Sequence, residues 1–353
     1  VKWILGIDTS AYTASAAAVD SEGRLLAEER LVLRVPGGSR GLRQSEAVFQ
    51  HVQNLPQVLE TLLARLPGGL SGNEKLAAVC VSSRPRPWED SYMPVFMCGV
   101  AVARSLAALS RSNLFLTSHQ EGHLRAGIFS AGSWREPCAL GLEREFAGLE
   151  KAGLNEAGSF IAVHLSGGTS EILDVERFPG GFKTKILGRT LDLHAGQFVD
   201  RVGVAMGLPF PAGPALEELA RQSNEDFPRL PAAVKGMDFS FSGSETRLQR
   251  LIAAGETYPR IARAAEALVS RTLAKALRRA LEATGKREIL VVGGVAANQY
   301  LRQFLSKKLE HPAVGARLYF AAPSLSADNA VGVALLGWEK WRELKQQGEQ
   351  LFC

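Results

Sequence analysis

Apolar and polar positions along the chain fall into two patterns: short runs that are wholly apolar or alternating, and longer runs with apolar residues three and four apart. Trp3-Ile4-Leu5-Gly6-Ile7 is a short apolar run ending on the polar Asp8-Thr9-Ser10, which predicts a buried strand and a turn. Ala16-Ala17-Ala18-Val19 predicts a second strand, and Ser21-Glu22-Gly23 a tight turn into a third over Arg24 to Leu33. The first half continues with a Gly- and Ser-rich loop at 36–41, a helix over 46–66 and a buried strand over 76–82. An apolar helix over 97–110 and a short strand over 114–117 complete it. The pattern then restarts. Phe160 to Leu165 reads as a strand ending on Ser166-Gly167-Gly168, and Ser170 to Val175 as the next. A long amphipathic helix is predicted over 258–283, a strand over 288–292 ending on Gly293-Gly294, and a closing helix over 329–344. The stretch 132–158, rich in Gly, Glu and Ala, reads as a linker or irregular insert.

Both halves open with strand, polar turn, strand, and strands alternate with helices afterwards, which makes the chain α/β. A repeated opening of this kind with crossover helices is the layout of the two-lobed actin-like ATPases (the ASKHA group, a duplicated ribonuclease H-like fold). Their interlobe cleft holds nucleotide, a step that rests on fold analogy. The expected division is a first lobe over 1–128, a second over 129–328, and a C-terminal helical segment over 329–353 packing back on the first lobe.

Composition changes this picture little. The 353 residues are 46% hydrophobic and 22% charged, as in ordinary soluble domains, and the length suits two lobes. The longest apolar stretch, 93–103, contains Pro94 and is too short to span a bilayer, and the start of the chain reads as a strand, so a cytoplasmic protein is expected. A formal net charge of +5 is compatible with an anionic partner such as tRNA without requiring one. Cys80, Cys98, Cys138 and Cys353 form no CxxC pair and are expected as free thiols.

The sharpest chemical signal is His119-Gln120-Glu121-Gly122-His123. Two His at i and i+4 share one helix face and can share a metal, with further ligands from elsewhere. Gln120 stands where an HExxH protease has its Glu, and Glu121 at i+2 points off the ligand face, which argues against a metalloprotease. Ser166-Gly167-Gly168-Thr169-Ser170 is either a plain tight turn or an anion nest. Gly293-Gly294-Val295-Ala296-Ala297-Asn298 either packs a strand on a helix or lets a base approach. Asp328-Asn329 reads as a loop ending in a helix cap. The cations Arg260, Arg263, Arg271, Lys275, Arg278 and Arg279 read as the solvated face of the long helix.

Taken in order, these segments resemble the TsaD family, the transferases that make threonylcarbamoyladenosine in tRNA, together with its Kae-type members. The resemblance runs from Ile4 to about Gly337. It includes the HxEGH at His119 to His123, the SGG at Ser166 to Gly168, and Leu187 to Asp192 with Ala195-Gly196 and Asp200. It continues through Gly207 to Pro214, Phe239-Ser240-Phe241-Ser242-Gly243, Gly293 to Asn298, and Asp328-Asn329. The resemblance implies one divalent metal, iron or zinc, on His119, His123 and Asp328. It implies ATP or an adenylate held at Ser166, Gly167, Gly168, Asp200, Gly213 and Asn298. It also implies transfer of a threonylcarbamoyl group from its adenylate to the N6 amine of a tRNA adenine, and a TsaB-like or other family member as a partner through the first lobe. Asp8 and Ser10 are the candidate catalytic side chains.

The departures all lie on one side of this scheme. Tyr12 and Thr13 replace the family's acidic pair, and neither is a good base near neutral pH. Arg84-Pro85-Arg86-Pro87 replaces a flexible GPGL loop. Thr169 and Glu171 replace a His and a Gln, and Leu193 and Gln197 replace an Asp and a Glu. The metal and nucleotide positions are kept while substrate-facing positions change. The reading is a TsaD-like transferase. Its alternatives are a divergent paralogue that keeps metal and nucleotide but acts on another acceptor, and a non-catalytic regulatory partner.

Overall fold

The computed structural model describes residues 2–10, 12–36, 41–66, 75–131, 154, 158–223 and 226–348. Outside them lie nearly all of the expected insert at 132–158, most of the loop at 36–41, Cys138 and Cys353. Of the described cysteines, Cys80 and Cys98 are free thiols.

The first sheet is a three-stranded antiparallel meander extended by two parallel strands. Strands β1 (Lys2–Thr9), β2 (Thr13–Asp20) and β3 (Leu25–Val32) form the meander, and β4 (Lys75–Arg84) and β5 (Asn113–Ser118) join beside β1, giving the order β3-β2-β1-β4-β5. β1 and β2 are buried along almost their whole length, which is why they read as unbroken Ile, Leu, Val and Ala runs rather than as alternation. The second sheet repeats the plan: β6 (Ser159–Leu165), β7 (Ser170–Phe178) and β8 (Gly181–Arg189) form its meander. β11 (Glu288–Val292) and β12 (Arg317–Phe320) add in parallel, giving β12-β11-β6-β7-β8. The same order twice over is the duplicated actin-like plan, two open α/β lobes with a cleft between them. A small hairpin of β9 (Ala233–Lys235) and β10 (Asp238–Ser240) sits beside the second lobe's helices.

Helices α1 (Gln44–Arg65) and α2 (Phe96–Ser110) cover the outer face of the first sheet. The outer face of the second sheet carries α4 (Ala195–Ala205), α5 (Gly213–Arg221), α6 (Ser242–Ala253), α7 (Tyr258–Thr284) and α8 (Gln299–Leu309). Between the two sheets lie α3 (His119–Ser130) and, after the single turn α9 (Pro323–Ser326), the closing helix α10 (Val331–Gln347). Phe129 of α3 and Ala334, Leu335 and Trp338 of α10 pack on the first sheet, while Leu124 and Ile128 of α3 and Leu336 of α10 pack on the second. Small residues allow this closeness. A Cβ on Gly6 of β1 would lie 2.7 Å from Ala330 O and 2.8 Å from Ala334 Cα.

The basic cluster of α7 is not a solvated face. Most of the helix is core, and its arginines bind chain segments packed against it. Arg263 pairs with Glu266 at 2.8 Å and reaches Ala220 O, Arg271 reaches Leu230 O, and Arg279 reaches Gly236 O. Among these cations only Lys275 and Arg278 are exposed. No described helix is long and apolar enough to cross a membrane.

Candidate metal centre and interlobe cleft

The centre begins with the way α3 starts. Ser118 Oγ accepts from Glu121 N at 3.2 Å, and Glu121 Oε2 accepts from Ser118 N at 2.9 Å, a reciprocal cap that satisfies orphan donors at the helix N-terminus. Thr117 Oγ1 and Ser118 Oγ also donate to Glu121 Oε2, so this carboxylate is committed to holding the helix start. The cap sets His119 in the first turn with His123 one turn on, and their rings meet edge-on with centroids 4.5 Å apart.

Asp328, in the loop before α10, closes the cluster. The two Nε2 atoms are 3.1 Å apart, and Asp328 Oδ1 lies 3.3 Å from His123 Nε2 and 3.5 Å from His119 Nε2. One ligand atom from each residue falls within 4.8 Å of the others. Outer groups orient all this. Asp8, at the end of β1, faces His119 Nδ1 at 3.0 and 3.1 Å, and Ser10 Oγ donates to Asp328 Oδ2 at 2.8 Å. Asp328 does not make the helix cap expected of it: Ala330 is the N-cap of α10, and the turn before it is closed by Asn329 Oδ1, which accepts from Val331 N at 3.0 Å.

The electrostatics match the geometry. Burial opposes charge on His119, but Asp8 and Asp328 outweigh it and lift its pKa to about 10. Burial, reinforced by the charge on His119, pushes His123 down. Burial alone would raise Asp328, but hydrogen bonds from both imidazoles hold it well below the usual carboxylate range. Without a metal His119 is therefore protonated on both nitrogens near neutral pH; a metal would displace the Nε2 proton, while Asp8, accepting from Nδ1, keeps Nε2 aimed at the second imidazole nitrogen and the carboxylate oxygen. These residues fit a divalent metal: two imidazoles and one carboxylate with an outer carboxylate orienting one imidazole suit zinc or iron.

His164, near the end of β6, was not singled out by sequence. Its ring centroid lies 4.6 Å from that of His123, and neither ring nitrogen, both buried, has a hydrogen-bond partner among the described residues. Burial, then the neighbouring imidazoles, hold it well below its ordinary pKa. The only signal was a lone His in the apolar run Phe160 to Leu165.

The expected nucleotide residues are spread along the second lobe. Ser166 Oγ accepts from Gly168 N at 3.3 Å and Thr169 N at 3.0 Å, so the hydroxyl already occupies the donors of this turn. Gly167 and Asp200 line a small cavity of about 40 Å³, and Asp200 Oδ1 accepts from Ala212 N at 2.8 Å. Gly213 opens α5 with free space where a Cβ would be. Asn298 caps α8 through Leu301 N at 2.8 Å and donates to Glu266 at 2.6 Å. Ser166, Gly168, Gly213 and Asn298 do not line the 40 Å³ cavity. Tyr12 does, reaching it from the first lobe with its ring 5.6 Å from that of Phe210. Burial, then Asp200, raise the Tyr12 phenol above its ordinary pKa.

The two departures Arg86 and Glu171 meet across the cleft. Arg86 Nη2 and Nε lie 2.6 and 2.9 Å from Glu171 Oε1, and Gln120 Nε2 donates to Glu171 Oε2 at 2.9 Å. Arg86 is held from behind by its own backbone N on Ser91 Oγ, and Pro85 O accepts from Gln120 N. The Arg-Pro loop of the first lobe is thereby joined to β7 of the second, beside the His119 end of α3.

Comparison with known proteins bears on this site. The model of the family TsaD, tRNA N6-adenosine threonylcarbamoyltransferase, matches residues 147–335, more than half of the chain. The tRNA N6-adenosine threonylcarbamoyltransferase of Archaeoglobus fulgidus is 29% identical over 333 residues, 94% of this chain and 90% of that protein. The activator of the 2-hydroxyisocaproyl-CoA dehydratase from Clostridium difficile superposes with a TM-score of 0.52 at 13% identity, over 99% of this chain and 100% of that one. T. kodakarensis HypF gives a TM-score of 0.56 at 12% identity, over 97% of this chain and 48% of that one. At such identities these two structures establish the shared two-lobed fold and nothing about substrate.

Proposed function

The chain belongs to the TsaD family, and from that premise we propose that it is a divergent member that binds one divalent metal and ATP or an adenylate and transfers the acyl group of an acyl-adenylate, with release of AMP, to an acceptor other than a tRNA adenine. The observation that carries this reading is the coexistence of an assembled His119, His123 and Asp328 cluster with the Arg86–Glu171–Gln120 bridge beside it. A chain drifting into a mere scaffold has no reason to keep three ligands with Asp8 and Ser10 orienting them. A chain doing the family's usual reaction has no evident use for an ion pair that replaces a flexible loop.

In this reading His119, His123 and Asp328 hold iron or zinc, which when bound supplies a Lewis acid for an acyl carbonyl. Asp8 holds the His119 ring in the tautomer that keeps Nε2 free, and Ser10 holds Asp328 by its outer oxygen. Gly167 and Asp200 face the nucleotide, and Tyr12 closes over it from the first lobe. The Arg86–Glu171 bridge excludes from that wall of the cleft whatever a glycine loop would admit.

A second reading, threonylcarbamoyl transfer to adenine N6 of tRNA with a TsaB-like partner on the first lobe, is favoured by the Archaeoglobus fulgidus relative that carries that name and matches 94% of the chain. The two are separated by expressing the chain in a strain depleted of its own TsaD and measuring threonylcarbamoyladenosine in bulk tRNA by mass spectrometry. No restoration from folded, metal-loaded protein is expected. Restoration to the level of the strain's own enzyme would sink the proposal in favour of the second reading.

A further inference from the structure

We propose that the recess between Arg86 and Arg189 is a binding site for the carboxylate or phosphate group of a small molecule. The recess has a volume of about 280 Å³ and its lining includes Arg86, Ser170, Glu171, Arg189 and His194. Two arginines therefore line it with a single carboxylate, and that carboxylate is already engaged.

The way Arg86 is held makes it a prepared anion seat. Glu171 is buried, and Gln120 and Arg86 fill its two oxygens. Glu171 uses two of the five N–H donors of the Arg86 side chain, Nε and one on Nη2, so three remain. Trp88 lies against the guanidinium, 5.8 Å from ring centroid to Cζ, and the flanking prolines stiffen the loop. A guanidinium fixed in this way loses little freedom when it binds an oxyanion.

Arg189, at the end of β8, supplies the second cation. Its backbone N is tied to Asp238 Oδ1 at 2.9 Å, which places the residue. Its side chain is exposed and has no ion pair or hydrogen bond among the described residues. His194 adds no further positive charge, because burial and then Arg86 keep its imidazole pKa low. The recess thus carries a net charge near +1 before any ligand enters, which suits one anionic group. Its volume lies at the lower edge of the roughly 300–1,000 Å³ typical of small-molecule pockets, so the occupant is a small metabolite. A carboxylate and a phosphate each present a pair of oxygens that the planar arginine fork can bind bidentately. The recess adjoins the metal centre, since Gln120, which holds Glu171, follows His119 directly. The site stands on this geometry and not on the transfer reaction proposed above.

The test uses the full chain, free of nucleotide, titrated calorimetrically with inorganic phosphate and with acetate at constant ionic strength set by chloride. Saturable binding of at least one anion is expected, weakened tenfold or more by Arg189→Gln and by Arg86→Gln, and the tighter of the two anions identifies the group. Arg189 is exposed, so its variant keeps the fold even if the Arg86 variant does not. No saturable binding above the chloride background overturns the proposal, as does binding that both variants leave unchanged. Binding of tRNA weakened by Arg189→Gln, with neither small anion saturating, overturns it in favour of a nucleic-acid backbone contact. All of these outcomes are read without any transfer assay, so loss of the site and loss of the proposed function are separable.

Discussion

Replacing Gly332 by alanine tests whether helix packing sets the metal centre. Gly332 lies where α10 crosses α3. A Cβ there would overlap the Gly122 carbonyl oxygen and lie 2.7 Å from Ala126 N and 2.8 Å from Gly122 C. These neighbours are backbone atoms of a buried helix, so no side chain can swing aside. Comfortable contacts need about 3.5–4.0 Å, so the helices must part by on the order of 1 Å. Such overpacking costs roughly 1–3 kcal/mol. It also opens the site, because α3 carries both imidazoles while Asp328 leads directly into α10. Metal ligands tolerate displacements of only ~0.2 Å, so an affinity loss of at least tenfold is expected, on the order of that for losing an orienting partner. The assay is thermal unfolding together with metal affinity measured by competition with a chromophoric chelator. Gly243→Ala is the control, since its Cβ meets nothing within 4 Å. Wild-type affinity and midpoint in Gly332→Ala, or an equal loss in the control, would refute the packing argument.

Three other outcomes follow from the same contacts. Asp8→Asn leaves all three ligands in place but removes the carboxylate on His119 Nδ1, so metal affinity should fall about 10–100-fold by chelator competition; an unchanged affinity contradicts the orienting role. Burial holds the Glu266 carboxyl at about 7 against an ordinary 4.5, so between these pH values the folded chain binds more protons there than the unfolded chain. Stability at this site therefore falls as pH rises from 4.5 to 7, and Glu266→Gln should flatten that fall in a pH series of melting curves; parallel curves contradict it. Arg86→Ala leaves Glu171 buried without its cation and should cost about 1–3 kcal/mol in denaturant unfolding, discounted for the partial exposure of Arg86. The double variant with Glu171→Ala should recover part of that loss, and strict additivity would show that the pair does not interact.

What the sequence revealed and what it withheld have physical reasons. Strands β1, β2 and β6 are buried on both faces, so they appeared as uninterrupted apolar runs, and the repeated opening exposed the duplication. β8 alternates Phe182, Thr184 and Ile186 with lysines, but Gly180-Gly181 at its start reads as a turn, and β12 has four residues, too few to show a period. The His pair was readable because both ligands lie one turn apart on one helix. Asp328 and Asn329 look like equally good caps in one dimension; in the fold Asn329 closes the turn onto Val331 N, the cap falls on Ala330, and Asp328 is free for the imidazoles. The α7 arginines looked solvated because their acceptors, Leu230 O and Gly236 O, lie about forty residues away. Arg86 and Glu171, 85 residues apart, appeared as two separate departures and are one ion pair in the fold.

A retained metal centre beside a remodelled cleft can be tested in one tube. The purified chain, with its metal content measured, is incubated with threonylcarbamoyl-adenylate and unmodified tRNA in the presence of a TsaB-like partner, and the tRNA nucleosides are quantified by mass spectrometry. About one iron or zinc per chain is expected, lost in His119→Ala, with no threonylcarbamoyladenosine above the protein-free control. Metal-dependent formation of threonylcarbamoyladenosine would contradict it and return the chain to its family's usual reaction.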